Sequence, residues 1–201
     1  MFALVESGSI IKMLSGNQGI TIDGIQHPRA IYTLWTEAER NAIGIYTVEY
    51  DNSNKKNEKW YINTNQSYAF GSGKVTATYG TATAKAHADA NFTAQDETDG
   101  LGTEGELKSR GLKYNLIQDV KLEAANELAK TDWYVVRKSE ESTAIPSAIT
   151  THRRLVRSKA AAMETSITNA SDTPALETLY TYTTDSDGVH SRPLAEIPTL
   201  D

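Results

Sequence analysis

The chain contains no cysteine, which excludes disulfides, thiolate metal sites and cysteine nucleophiles together. It has no apolar run approaching the roughly 20 residues of a membrane span. Positive charge is in the minority: 20 Lys and Arg stand against 26 Asp and Glu, for a formal net charge of −6. That balance speaks against a general nucleic-acid binder, because phosphate binding requires a net basic surface. The opening residues, MFALVESGSIIKMLSG, lack a basic n-region and a small-residue cleavage site, so no signal peptide is expected. What remains is a chain of 201 residues, 39% hydrophobic and 23% charged. It is long enough for one domain or two small ones, held by packing alone.

The first 80 residues read as β-rich. MFALV and IIKML are short apolar runs separated by Glu6-Ser7-Gly8-Ser9, a hairpin turn, and Asp23-Gly24 is a second turn signal before Pro28. Thr36 and Glu39 make a capping box for one short helix that Gly44 closes. In IGIYTVEY, Tyr46, Val48 and Tyr50 share one face of a strand. A further strand is expected in KWYINTN, and Val75, Ala77 and Tyr79 mark a last one. The pattern implies a small antiparallel meander or open barrel.

From about residue 81 to 104 the text turns small, acidic and glycine-rich, and reads as a linker. Helical periodicity follows. Leu116, Val120, Ala124 and Leu128 form one apolar face, with Ile117 beside them. Ile149, Val156, Ala160, Met163 and Ile167 form a second face, on a helix opened by Ile145-Pro146. Thr173 is expected to cap a short third helix whose first residue is Pro174, and residues 181–201 read as an extended tail. The expected fold class is α+β, with a β-rich module at 1–80, a helical hairpin domain at 105–180, and the linker and tail as bounded above.

No motif specifies a reaction. GSGKV at 71–75 imitates a phosphate loop but has Tyr68 where glycine is needed and Val75 where Ser or Thr is needed, so a turn between strands is the better reading. The acidic stretches 96–100 and 185–188 do not follow the ligand spacing of a calcium loop. His27, His87, His152 and His190 are scattered without metal-ligand spacing. No Gly-x-Ser-x-Gly elbow occurs. The basic cluster His152-Arg153-Arg154, Arg157 and Lys159 is too short for a phosphate groove and suits pairing with acids such as Asp132, Glu140 or Glu141. Catalytic, cofactor and metal sites are therefore all expected to be absent.

One stretch carries more. LAKTDW, followed by a proline-started helix with HRRLVR, resembles the phage tail assembly chaperone family, also found at the C-termini of tail-fibre assembly proteins. The family pattern is a helix ending in Leu-x-x-Thr-Asp-Trp, a loop, and a helix with Tyr-Arg-x-x-Leu-Arg. Thr131, Asp132 and Trp133 match it, as do Arg153, Val156 and Arg157 conservatively, across about residues 112–168. His152 stands where the family has Tyr, and Ile149 where it often has Trp. IQHPRAIYTLWTEAERNAIGIYTVEY is similar to the opening of small proteins encoded near tail genes in marine phages.

The motif predicts an elbow. Asp132 would sit just beyond the helix end, facing Arg153 or Arg157 as a bidentate partner. Trp133 would cover the two-helix core, so its truncation should cost roughly 3 kcal/mol or more, and that of Arg153 less unless its partner is left buried and unpaired. The resemblance implies a non-enzymatic virion protein of the tail, baseplate or fibre-attachment region, present in multiple copies and contacting other phage structural proteins. The alternative is a transient assembly chaperone. Neither nucleic acid nor membrane is an expected partner. Tyr46, Trp60, Tyr61, Leu194, Ile197 and Leu200 form the candidate partner surface, as apolar residues in segments without an evident core to join.

Overall fold

Three two-residue turns organise the N-terminal third of the chain. Ser7-Gly8, Asp23-Gly24 and Ser72-Gly73 all carry positive φ at both positions, the geometry that matches the twist of two-residue hairpins. In the computed structural model, which describes residues 1–200, these turns join β1 (Phe2–Glu6) to β2 (Ser9–Leu14), β3 (Ile20–Ile22) to β4 (Ile25–His27), and β7 (Gln66–Gly71) to β8 (Lys74–Tyr79). Between them lie α1 (Ile31–Leu34), α2 (Glu37–Ala42), β5 (Ile45–Asp51) and β6 (Tyr61–Ile62). The α+β class holds: strands gather in the first unit, Met1–Thr83, and long helices in the second, Ala84–Asp201.

The main sheet has the order β2-β1-β5-β8-β7. It is mixed rather than antiparallel: β5 and β8 run parallel, pairing Val48 with Val75 and Tyr50 with Ala77. Both faces bury apolar side chains. Ala3, Val5, Val48, Val75 and Ala77 pack together, with Tyr46 and Phe70 against them. Alternate residues Leu4, Leu14 and Ile45 pack against Ile22, Ile31 and Tyr32. The edges β2 and β7 approach each other, so the sheet curls toward a barrel. The expected capping box is present, with Thr36 and Glu39 exchanging hydrogen bonds at the start of α2. A second short helix, α1, accompanies it. Tyr50 is exposed, so only two members of the expected Tyr46-Val48-Tyr50 face join the core.

The segment expected to be a linker is folded. After β9 (Thr83–Ala84), β10 (Ala90–Asn91) pairs with β11 (Leu107–Ser109), and α3 (Ala94–Thr98) lies between them. Thr93 caps α3 and Asp96 returns the bond. The segment also caps α4 (Leu112–Ala129). The amides of Leu112 and Lys113 donate to the carbonyls of Ala86 and His87, and that of Gly111 donates to Asp89. Helix amides that would otherwise lack partners thus hold residues 86–89 in place.

Hydrogen bonds from Lys108, and then from the Thr93 backbone and hydroxyl, hold the Asp96 carboxyl down at about 2. A folded-state value below the ordinary one means that the contribution is complete above about pH 4 and is lost as pH falls toward 2. Protection of the Phe92 amide, which donates to Glu106, should therefore fall across that window relative to helix-core amides. In Asp96→Asn, protection independent of pH is the expected result; an unchanged pH response would contradict this account.

Helices α4 and α6 (Ser147–Asn169) pair antiparallel, as contacts of Lys113 with Thr168, Lys121 with Glu164 and Glu127 with His152 require. The predicted faces form the interface: Leu116, Val120 and Ala124 on α4, and Ile149, Val156, Ala160, Met163 and Ile167 on α6, are all buried. The expected loop between them holds a helix of its own, α5 (Asp132–Glu141). Helix α7 (Thr173–Tyr180) is capped by Asp172, while Thr173 is buried and donates to the Lys85 carbonyl. A small hairpin, β12 (Thr183–Thr184) with β13 (His190–Ser191), begins the C-terminal segment.

Candidate functional site at the helical elbow

Helix α4 ends within three residues of the start of α5, and its last carbonyls need partners. Arg153 of α6 supplies them. Its guanidinium donates to the Leu128 carbonyl at 2.8 Å and to the Thr131 hydroxyl at 2.6 Å, and pairs with the Asp132 carboxylate at 2.8 Å. Thr131, fully buried, donates in turn to Leu128. A cation at a helix C-terminus also meets the partial negative charge of the last turn. Arg153 is 8% exposed, so its bonds to Leu128 and Thr131 are largely shielded from water, whereas the Asp132 carboxylate is mostly exposed.

Beside this fork lies a second buried polar group. Glu127 accepts from the Leu200 amide at 2.9 Å, lies 3.1 Å from His152 Nε2, and pairs with Lys130. The Lys130 hydrogen bond, ahead of those from Leu200 and His152, holds the Glu127 carboxyl below its ordinary value against the opposing effect of burial. The elbow motif does not include Glu127, and contains His152 only as a departure from the family's Tyr. The available signal was position: Glu127 falls three residues after Ala124 on the buried stripe of α4, where an apolar residue is the norm.

The structure thus brings Thr131, Asp132 and Arg153 together and sets two other motif residues apart. Arg157 donates to the Arg153 carbonyl of its own helix at 3.4 Å and does not reach Asp132. Asp132 lies just beyond the end of α4 and faces Arg153, as expected, and it is also the first residue of α5, where its charge suits a helix N-terminus. Trp133 does not cover the two-helix core. It is 51% exposed, stacked on Tyr134 at 3.9 Å between centroids, with the Arg137 guanidinium 4.6 Å over its ring. The reason is that the helix as a whole lies outside the core: α5 buries none of its residues, and Val135 and Val136 are exposed alongside Trp133.

The candidate partner surface is also corrected. Trp60 and Tyr61 are buried within the chain, and Tyr46 packs on Phe70 at 4.8 Å. In the tail, Leu194 and Ile197 are buried; only Leu200 remains exposed. These segments do have a core to join. Among the described residues, no three His, Cys, Asp or Glu side chains are placed to hold a metal ion, and no helix is long and apolar enough to cross a membrane. What the elbow offers chemically is a rigid polar joint carrying an exposed aromatic and aliphatic helix. No protein-family model matches the chain, and no curated protein or solved structure matches it either.

Proposed function

We propose that the chain is a non-enzymatic phage protein of the tail, baseplate or fibre-attachment region, working through protein–protein contacts in a symmetric assembly. The observation supporting a contact role is α5. A helix that buries none of its residues, yet presents Trp133, Val135 and Val136 to solvent, has the composition of a docking element. The arginine fork that holds its N-terminus gives that helix a fixed direction, which lowers the ordering cost of binding. The phage assignment rests on the Thr131-Asp132-Trp133 and Arg153-Arg157 pattern.

A second reading, a transient assembly chaperone, draws support from the small number of apolar residues that α5 exposes. Permanent interfaces are usually larger and more apolar, and much of the strip first assigned to a neighbour is internal here. Mass spectrometry of density-purified particles, quantified against the major capsid protein, separates the two. A signal at a fixed multiple of three or six is the outcome expected for a virion component. Absence from particles, with abundant protein in infected-cell lysate, would establish the chaperone reading instead.

A further inference from the structure

The C-terminal segment 192–200 is attached to the helical unit like a bound peptide. Residues 181–191 before it are all exposed and form only the small β12–β13 hairpin. The segment then places Leu194, 1% exposed, and Ile197 into the helical unit. Two backbone amides fix its course: Leu194 donates to the Leu179 carbonyl at 3.0 Å, and Leu200 donates to Glu127 at 2.9 Å. Its charged contacts are largely its own. Arg192 pairs with Glu196 at 3.5 Å, and the Tyr182 hydroxyl donates to Glu196. The segment would carry the Arg192–Glu196 pair with it on leaving, but not the bond from Tyr182 or the approach of Arg192 to the Tyr180 ring of α7 at 5.5 Å. The helical unit contributes two apolar seats, one carbonyl, one buried carboxylate and the Tyr180 ring.

We infer that the helical unit carries a groove for an extended peptide with apolar residues three apart, filled by the chain's own C-terminal segment and able to take the same segment from a second copy. A solvent-exposed connector beside a self-complementary seat is the arrangement from which segment exchange between copies proceeds. The identical contacts form in either case, so the choice between own and foreign segment is set by effective concentration, on the order of millimolar for a short tether. This inference goes beyond the phage assignment and does not depend on it.

A fluorescently labelled peptide of residues 190–200 serves as the second copy's segment without its tether. The receptor is the full chain carrying Leu194→Asp with Ile197→Asp, which unseats its own tail. Saturable anisotropy is expected with this variant, with at least tenfold weaker binding to the unsubstituted chain. A peptide carrying the same two substitutions should not bind. Absence of saturable binding to a variant that melts as the parent does, or equal affinity for both chains, would overturn the inference. Hydrogen exchange on the unsubstituted chain gives a readout that does not depend on the variant folding. The Leu194 and Leu200 amides should exchange at least tenfold faster than those of Val120 and Val156. Exchange of all four only through global unfolding would show the segment to be an inseparable part of the core, and would also overturn it.

Discussion

Replacing Arg153 with alanine is expected to destabilise the helical unit by about 3 kcal/mol, the scale of losing charge-assisted hydrogen bonds to two buried acceptors. Truncating Trp133 should cost less than about 1 kcal/mol, since substitutions outside a packed core seldom exceed that. This reverses the order that the motif alone suggests. Arg153 serves three acceptors at once, and its loss leaves the Leu128 carbonyl and the Thr131 hydroxyl without their shared donor. Those two groups keep their bond to each other, so the loss is that of the hydrogen bonds from the cation, about 1.5–3 kcal/mol each. Asp132, being mostly exposed, supplies little of the total, because solvent screens the pair. Arg153→Lys should fall between, keeping the charge but losing the planar fork. Urea unfolding of the full chain, followed by far-ultraviolet dichroism, measures all three. Equal midpoints for Arg153→Ala and Trp133→Ala would contradict the assignment of the fork as the joint.

The second large effect is expected at Gly111. A Cβ there would lie 2.3 Å from the carbonyl carbon and oxygen of Ala88. The obstacle is backbone and is itself held by the capping bonds to α4. The chain must move, and Gly111→Ala should cost about 2–3 kcal/mol, in the range of overpacked sites. Gly188→Ala provides the contrast. That glycine has positive φ but open space, so its cost should be limited to backbone strain of about 1 kcal/mol. Comparable melting temperatures for the two variants would show that residues 86–89 do yield, and that their contact with α4 is loose.

The helices were legible where one face met one neighbour. The stripes of α4 and α6 follow 3.6-residue spacing, and every α6 residue assigned to the core is buried. Turn chemistry was equally plain at Ser7-Gly8 and Asp23-Gly24. Helix α5 escaped because its signal is weak: Val135 and Val136 are β-branched, and without a buried face no periodicity marks it. Helix α3 escaped because its reciprocal cap uses Asp96, one methylene shorter than the Glu or Gln of the usual pattern. The parallel pairing of β5 with β8 leaves no local trace, since neither partner is a sequence neighbour. At the elbow, residue types narrowed the partner of Asp132 to Arg153 or Arg157 without choosing between them, whereas the exposure of Trp133 depends on α5 lying outside the core, which only the fold supplies.

The place of β5 in its sheet has a kinetic consequence. The β1–β2 and β7–β8 pairs close through two-residue turns and can form early, independently of each other. Strand β5 has no such partner: it joins Leu4 to Ile45 on one side and Val48 to Val75 on the other. Its insertion closes two long loops at once, and loop-closure entropy opposes it until both flanking strands are seated. Assembly of the N-terminal unit is therefore limited by docking two prefabricated hairpins onto a single central strand, and its folding rate should respond to changes in β5 more than to changes in either turn.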